Sequence, residues 1–368
     1  MKKISRRNFL KVSGAMAAAG ALAACGGSGA STPAASGAAS TSTAASAAAA
    51  GEDKFASLGD FTMTVGHAQP EGNPRFVSME QFAADVAEAT NGHVKIEVYG
   101  NGQLGTEKEM LEQVVAGTVQ GMRGGQFDFS PRLLMFTLPF LTNTRAQVTA
   151  LLQSDLAQKV CAEAEGETGT VIINLCDAGG YRQFSNSKHP ITKMADIKDL
   201  KFRVPQSAVL IAAYKAFGGS PTPISWAETF TALQQGVVDG QCYGYIGFKA
   251  MKFNEANQKY LTEVHYTYQL QPLVISERVF KKMTPEMQKL IVDAGKYAQD
   301  TVLKFQLENA EAAKKELIAG GLVVSQLEDE DQWKKAAIEK VWPEMADFVG
   351  GKDAINEYLK ACGKDAWK

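Results

Sequence analysis

Residues 61–99 read FTMTVGHAQPEGNPRFVSMEQFAADVAEATNGHVKIEVY, and the periodicity of this stretch decides the fold class. Phe61 to Gly66 alternate apolar and polar residues, as a half-buried strand does. Apolar residues then recur at helical spacing until Asn91-Gly92, a turn signal that ends the helix. Val94 to Tyr99 alternate again. The order strand, helix, strand predicts an α/β fold with a largely parallel sheet covered by helices.

A second series of the same kind follows later in the chain. Strand patterns at residues 171–175 and 202–204 are followed by helical patterns at Ala208–Phe217 and Trp226–Gln235. Two such series in about 317 residues beyond the N-terminal region are enough for two domains with separate cores. We therefore expect two α/β units.

Two further helices have strong start signals. Thr106, with Glu109 three residues later, predicts a capping box and a helix to about Ala116. Thr284-Pro285-Glu286 places Pro at the first helical position, and the pattern runs to Gly320, about 50 Å at 1.5 Å per residue. A helix of this length exceeds one small domain, so we predict that it crosses both.

The N-terminus has the features of an export signal. Ser5 to Lys11 read SRRNFLK, which matches the twin-arginine signature, and the uncharged run from Val12 to Ala24 is too short to span a bilayer. A general secretory signal with two arginines in its basic start is the alternative. We predict that residues 1–25 form the signal peptide.

The signal ends at a candidate lipidation site. Leu22-Ala23-Ala24-Cys25 resembles a bacterial lipobox, in which the thiol is lipidated and becomes the mature N-terminus. Residues 26–51 consist almost entirely of Ala, Ser, Gly and Thr, a composition typical of a flexible tether. The sequence predicts a folded body that starts near Glu52 and attaches to the membrane only through Cys25.

Composition argues against several classes of protein. Without the five basic residues of the signal, 33 basic residues face 40 acidic ones, a net charge of −7, which disfavours nucleic-acid binding. The four histidines have no metal-ligand spacing, and neither GxSxG nor GxxxxGK[ST] occurs. The later cysteines are widely spaced, so the spacing predicts no disulfide. We expect no metal, no nucleotide and no other cofactor.

One glycine motif and three side chains are candidates for a binding site. Residues 100–105 read GNGQLG and match GxGxxG, but no acidic residue follows at the distance that a dinucleotide-binding turn needs, so they more simply shape a tight loop. His67 ends the first strand, where α/β sheets bind ligands. Arg203 alternates away from its apolar neighbours, as a solvated strand charge or a cleft residue would, and Arg182 follows a glycine turn.

Several ordered blocks together resemble a known family, the DctP-type substrate-binding subunits of tripartite ATP-independent periplasmic (TRAP) transporters. The resemblance extends from Phe61 to about Gly295. The blocks are Gln103–Met110, Ala116–Val119, Leu138–Leu141, Ile197–Pro205, Gly219–Pro223 and Thr231–Gly240.

The resemblance implies a two-domain periplasmic-binding-protein clamshell that closes on an organic acid. With the long crossing helix, we expect residues 52–179 and 269–308 to form the first domain and residues 180–268 and 309–368 the second. Arg203 matches the arginine that clamps the ligand carboxylate, and Arg182 matches a second arginine of the cleft.

The resemblance also implies further lining residues. Trp226 falls where many members have an aromatic residue. The segments His67–Asn73 and Gln103–Glu107 lie where the first domain contributes to the cleft. Gln241 is the last of these candidates.

One motif departs from the family pattern. Many members read Asp-Gly-Gln-Glu-Asn-Pro where this chain reads DGQCYG at residues 239–244. Tyr243 replaces an amide with an aromatic hydroxyl and changes the hydrogen-bond inventory of the pocket. C4-dicarboxylates are the ligands that the family suggests, but Trp226 and Tyr243 suit a bulkier acid, such as an aromatic, sugar or keto acid, at least as well.

The sequence as a whole predicts a binding protein and not an enzyme. We expect it to capture a small organic anion at the outer face of the cytoplasmic membrane and to deliver it to a TRAP-type transporter. A lipid-anchored sensor that uses the same clamshell is one alternative, and an exported enzyme is another.

Overall fold

The structure is a computed structural model that describes residue 55, residues 60–125 and residues 130–368. The predicted signal at 1–25, the tether at 26–51 and Cys25 lie outside the described residues. Within the described ranges, no helix combines the length and the apolar composition that crossing a membrane requires.

Strands and helices alternate along much of the chain, as the sequence predicts. Strands β1 to β11 are, in chain order, Phe61–His67, Val94–Tyr99, Gly121–Arg123, Thr170–Tyr181, Gln183–Asn186, Lys201–Val204, Ser220–Pro223, Gly240–Tyr243, Tyr260–Glu263, Tyr268–Ser276 and Val323–Gln326. Helices α1 to α13 are Pro74–Ala89, Glu107–Ala116, Pro131–Leu134, Arg145–Leu152, Asp155–Thr168, Ala208–Phe217, Trp226–Gln234, Tyr245–Ala250, Glu277–Phe280, Pro285–Ala319, Glu330–Ala336, Trp342–Met345 and Gly351–Ala361.

The strands form two mixed sheets. The first sheet has the order β2-β1-β3-β10-β4, and the second has the order β11-β9-β5-β8-β6-β7. In the first sheet β1 pairs in parallel with β2 and β3, whereas β10 is antiparallel to β3 and β4. The expectation of a largely parallel sheet therefore holds only in part, because β10 enters the first sheet directly from the second and not through a crossover helix.

The chain passes between the two sheets at three places. β4 leads through Arg182 into β5, residues 264–267 lead from β9 back to β10, and α10 spans from one sheet to the other. The backbone N–H of Arg182 donates to the carbonyl oxygen of Thr267 at 3.0 Å, which ties the first two crossings together.

The long helix α10 confirms the predicted crossing. Its first half buries Ile291 in the apolar core beneath the first sheet, together with Val65 and Phe82. Its last turns bury Leu317 in a core of the second sheet, and Lys314 Nζ lies 2.7 Å from Glu263 Oε1 of β9. The helix thus belongs to both apolar cores.

The predicted helix starts are confirmed. Thr106 and Glu109 form the reciprocal capping box of α2, and the Thr284 side chain accepts a hydrogen bond from the backbone N–H of Met287 at the start of α10. α1 begins with Asn73 as its cap and Pro74 in its first turn, so the segment between β1 and α1 is held in place.

Candidate ligand site

Arg203 on β6 is buried, not solvated. The apolar side of its strand, which includes Leu200, Phe202 and Val204, faces the core as predicted. However, Arg203 itself is only 4% exposed, so the solvated-charge alternative is wrong. The cause is Trp226, whose ring covers the guanidinium with the Arg203 Cζ 5.4 Å from the ring centroid.

The terminal nitrogens of Arg203 lack protein partners. Its Nε donates to the carbonyl oxygen of Ile224 at 2.9 Å, which fixes the direction of the side chain. Among the described residues, neither Nη atom has a hydrogen-bond or ion-pair partner. This leaves two parallel donors of a planar fork, the geometry that matches a carboxylate.

An aromatic pair lies between Arg203 and a second arginine. Trp226 at the start of α7 and Tyr243 at the end of β8 stack with their centroids 4.9 Å apart and their planes at 24°. Arg75 covers the other ring, with its Cζ 5.2 Å from the Tyr243 centroid. Arg75 comes from α1 beside the first sheet, so the stack Arg75–Tyr243–Trp226–Arg203 joins the two sheets.

Two glutamine amides hold Arg75 in place. Arg75 Nη1 donates to Gln271 Oε1 at 2.9 Å. The Gln69 amide, turned with its oxygen toward its neighbours, accepts from Arg75 Nη2 at 3.1 Å and from Trp226 Nε1 at 2.8 Å. Gln69 therefore connects the β1–α1 segment to the aromatic pair of the second sheet.

Arg123 supports the site from behind. Its Nη1 donates to Ser78 Oγ and to the backbone carbonyl of Arg75 (3.3 Å), and its Nη2 donates to the carbonyl oxygen of Asp177 at 3.0 Å. Asp177 in turn accepts from the backbone N–H groups of Gly179 and Gly180 at 2.8 and 3.1 Å. Arg123 is thus bound to groups that do not neutralise its charge.

Arg182 lies in the crossing between β4 and β5 and is 3% exposed. Its Nη1 lies 3.2 Å from the carbonyl oxygen and 3.3 Å from the Sγ of Cys242. Within the described part of the chain, these are its only side-chain hydrogen bonds. All four later cysteines are free, so the Cys242 thiol is available as this partner.

The site contains more positive than negative charge. The four buried arginines have no ion pair within 4.0 Å among the described residues; the arginines that have one are Arg132 and Arg145. Glu107 and Asp177 act on Arg75, and Glu107 also acts on Arg203, but Asp177 already pairs with Arg145 at 3.5 Å. Buried guanidinium groups without a paired carboxylate are unfavourable unless an anion enters.

Burial lowers the pKa values of two of these arginines. The pKa of Arg182 is instead raised, because its interactions with Cys242, Tyr266 and Tyr214 outweigh the effect of burial. Burial and then the charge of Arg123 lower the pKa of Arg75 to about 9. Burial lowers the pKa of Arg203 to about 10, and the nearby charge of Arg182 acts in the same direction. An anion bound between these groups would raise both values, because it favours their charged forms.

His67 is buried beside the arginines and stays neutral. Its Nδ1 accepts from the backbone N–H of Gln69 at 3.0 Å, so the ring proton is on Nε2, which is buried without a partner among the described residues. Burial, then Arg123 and Arg75, holds the pKa of His67 well below its usual value. An uncharged N–H donor thus remains free.

Three further side chains were predicted as site residues, and each has a hydrogen-bond partner in the structure. Glu107 contacts Gln271 at 3.5 Å between Oε1 and Nε2. Asn73 caps α1 by accepting from the backbone N–H of Arg75 at 3.0 Å. Gln241 donates to Ser185 Oγ at 2.9 Å, so its described hydrogen bond leads away from the arginines.

The GxGxxG loop borders the same region without forming a phosphate cradle. The N–H of Asn101 donates to the carbonyl oxygen of Gln69 at 2.8 Å, and the N–H of Gly102 donates to that of His67 at 3.2 Å. These amides are therefore occupied by the β1–α1 segment. Among the described residues, no group of three His, Cys, Asp or Glu side chains could hold a metal ion.

The sequence did not single out Arg75, Arg123, Gln271 or Cys242, and it included Gln69 only as part of the segment His67–Asn73. Arg123 stands before Gly124-Gly125 at the end of a short strand, the same arginine-and-glycine signal that pointed to Arg182. Gln271 had no such signal, because it meets Arg75 and Glu107 only through the tertiary fold.

Comparisons with known proteins agree with this geometry. Residues 65–347 match the family described as Bacterial extracellular solute-binding protein, family 7, and residues 3–23 match the twin-arginine translocation (TAT) pathway signal sequence. A solute-binding protein of Verminephrobacter eiseniae is 32% identical over 238 residues, which cover 64% of this chain and 70% of that protein.

Two further similar proteins are described together with the acid that they bind. The 2,3-diketo-L-gulonate-binding periplasmic protein YiaO of Escherichia coli is 28% identical over 280 residues, 74% of this chain and 84% of that protein. The crystal structure of a TRAP periplasmic solute-binding protein of Desulfovibrio salexigens with bound orotic acid superposes with a TM-score of 0.77 at 27% identity. It covers 83% of this chain and 99% of that one. This chain therefore belongs to the DctP family of extracytoplasmic solute-binding proteins of TRAP transporters.

Proposed function

We propose that this protein captures a small organic acid outside the cytoplasmic membrane, holds its carboxylate with Arg203 and Arg182, and delivers it to a TRAP-type membrane transporter. The observation that carries the proposal is the group of four buried arginines that have no ion pair among the described residues, together with the Nη atoms of Arg203, which have no partner in the same part of the chain. A carboxylate would supply the missing charge and accept from both Nη atoms.

The shape of the site favours an acid with additional polar or planar groups. Trp226 and Tyr243 offer an aromatic surface, and His67 Nε2 offers an uncharged donor. Glu107 adds an acceptor, which would repel a second carboxylate placed near it. The relatives that bind 2,3-diketo-L-gulonate and orotic acid support this range of acids.

The lipid anchor is a further part of the proposal. Cys25 would carry the membrane attachment, and the body would extend from it on the tether at residues 26–51. The signal at the N-terminus supports export, and the lipobox-like Leu22-Ala23-Ala24-Cys25 supports lipidation. The alternative of a sensor uses the same site, and a membrane permease gene beside this one would favour transport.

The test is a thermal-shift screen of the purified protein against orotate, D-galacturonate, 2,3-diketo-L-gulonate and succinate, followed by calorimetric titration. A ligand that binds only the native state raises the melting temperature. Arg203→Ala should lose at least about 30-fold in affinity, because removing one partner of a buried charge pair costs about 2–5 kcal/mol. Arg203→Lys keeps the charge but not the fork, so it should also bind clearly more weakly.

The matched control is Arg278→Ala, which removes an exposed arginine from α9. It should bind the same acid with the affinity of the wild type. Near-normal binding by a well-folded Arg203→Ala would refute the assigned role of Arg203. Failure of every acid to shift the wild type would contradict the proposed class of ligand.

A further inference from the structure

The contact between Arg182 and Cys242 has a feature that the proposed function does not explain. The register of β5 against β8 places Cys242 opposite Phe184, and the cysteine is only 1% exposed. Arg182 Nη1 lies within 3.3 Å of its sulfur and carbonyl oxygen. A buried arginine is therefore held by a peptide carbonyl, which is uncharged, and by a thiol, which is uncharged as long as it is protonated.

Arg182 cannot easily turn to another partner. Its backbone N–H donates to the carbonyl oxygen of Thr267, which fixes the backbone where two chain segments cross between the sheets, and both contacts of the guanidinium go to Cys242. In the pattern that many members of the resembled family share, a glutamate stands at the position of Cys242. A carboxylate there would lie within reach of the same guanidinium and would neutralise it. The thiol of this chain contacts the guanidinium from the same position, but in its protonated form it has no negative charge.

We propose that Cys242 is a positioning residue that sets the charge of the ligand site: its thiol holds Arg182 in place without neutralising it, so that the anion of the ligand becomes the counter-ion of Arg182. The inference rests on the proposed function, because it takes the ligand to be an organic acid bound at this site. A negative group at position 242 should then compete directly with the ligand.

The surroundings of Cys242 support this competition. The charged and titratable groups that act on its sulfur are Arg182, Arg203, Tyr214 and Tyr266. Burial by itself raises the pKa of the thiol, but Arg182 and the hydrogen bonds from both tyrosines outweigh it, so the pKa lies below its usual value. Rising pH therefore converts Cys242 into a thiolate beside two arginines that the ligand also needs.

The experiment compares Cys242→Asp with Cys242→Ser in the full exported protein. Aspartate places a carboxylate next to Arg182, whereas serine keeps a small neutral group at the same site. Without ligand, Cys242→Asp should melt at a higher temperature than Cys242→Ser, because it pairs a buried charge. With the acid of the panel that binds the wild type, it should lose about tenfold or more in affinity and lose much more than the serine variant does.

The inference predicts that Cys242→Asp has a higher ligand-free melting temperature and a lower ligand affinity than Cys242→Ser. A general packing defect would instead lower both the melting temperature and the affinity. Cys242→Glu offers a second length of carboxylate. If both carboxylate variants fail to fold while Cys242→Ser folds, the inference is overturned, because it predicts a gain in ligand-free stability. Equal affinities of Cys242→Asp and Cys242→Ser would overturn it as well.

A pH profile gives an independent readout. The affinity of the wild type for the acid should fall as the pH rises through the titration of the thiol, and Cys242→Ser should lack this fall. Parallel profiles would contradict the inference. If none of the four acids binds the wild type, the proposed function fails, whereas the comparison of ligand-free melting temperatures still decides whether Cys242 leaves Arg182 without a counter-charge.

Discussion

Single buried residues carry most of the chemistry of this site, and their effect on the free energy of unfolding depends on pH. Arg75, Arg123, Arg182 and Arg203 are each at most 4% exposed and lack ion pairs among the described residues. His67 lies beside two of them and must stay neutral. Folding therefore has to exclude a proton from His67, and the free energy of unfolding should record this.

We predict that His67 makes the protein less stable in acid. Its pKa in the folded state lies well below the value of about 6.5 that it has in the unfolded chain. Below about pH 6.5 the unfolded state binds a proton that the folded state does not, so stability falls as the pH falls, by at most about 1.4 kcal/mol per pH unit. In His67→Gln, the free energy of unfolding, measured with urea, should fall less steeply between pH 7.5 and pH 5 than it does in the wild type.

The control for this prediction is His189→Gln, which changes an exposed histidine. It should keep the slope of the wild type. A His67→Gln variant whose stability falls with pH as steeply as that of the wild type would show that His67 is not held neutral.

At the scale of elements, local patterns predicted much of the fold. The capping box of α2, the full length of α10 and the bounds of α6 follow from residues close in sequence, and all three are confirmed. The antiparallel insertion of β10 between β3 and β4 was not predictable, because all nine of its residues are buried, polar and apolar alike, and a strand pattern does not specify which strands lie beside it. Arg203 and Arg182 stood out in the sequence, whereas Arg75 enters the site only because α1 meets the end of β8.

The meeting of α1, α7 and β8 leads to a prediction about selectivity. Tyr243 lies between Arg75 and Trp226, and its hydroxyl is buried without a partner among the described residues. Tyr243→Asn removes the ring and introduces an amide, so it should change the ranking of the panel acids and not merely weaken all of them. Calorimetric titration of each acid measures this ranking.

Tyr243→Phe is the matched variant for this prediction. It keeps the ring and both of its stacking contacts but removes the hydroxyl, so it should preserve the ranking of acids that do not bond that hydroxyl. An unchanged ranking in Tyr243→Asn would place Tyr243 outside the determinants of selectivity and would remove the argument for bulkier acids.

At the scale of the whole molecule, the arrangement suits closure around a ligand. Arg75 and His67 belong to elements of the first sheet, Arg203 and Trp226 to elements of the second, and Arg182 to a crossing between them. A ligand that contacts both sides would favour the closed arrangement by its differential affinity for it. The division at residues 179 and 308 remains a prediction, and the sequence could place it only through the resemblance to the DctP family.

The last prediction concerns where the whole molecule resides. If Cys25 carries a thioether-linked diacyl group, its two acyl chains suffice for stable attachment to the membrane. The 26 residues of the tether at 26–51 would give a mean reach of about 28 Å by random-coil scaling, enough to let the folded body move near the surface.

Cys25→Ala should therefore release the protein into the soluble fraction and abolish metabolic labelling by a fatty-acid analogue, without changing ligand affinity. Cys161→Ala, which changes a cysteine of the folded body, should retain both labelling and membrane attachment. Lipid labelling that persists in Cys25→Ala would place the anchor elsewhere or show that the tether is joined to the membrane in another way.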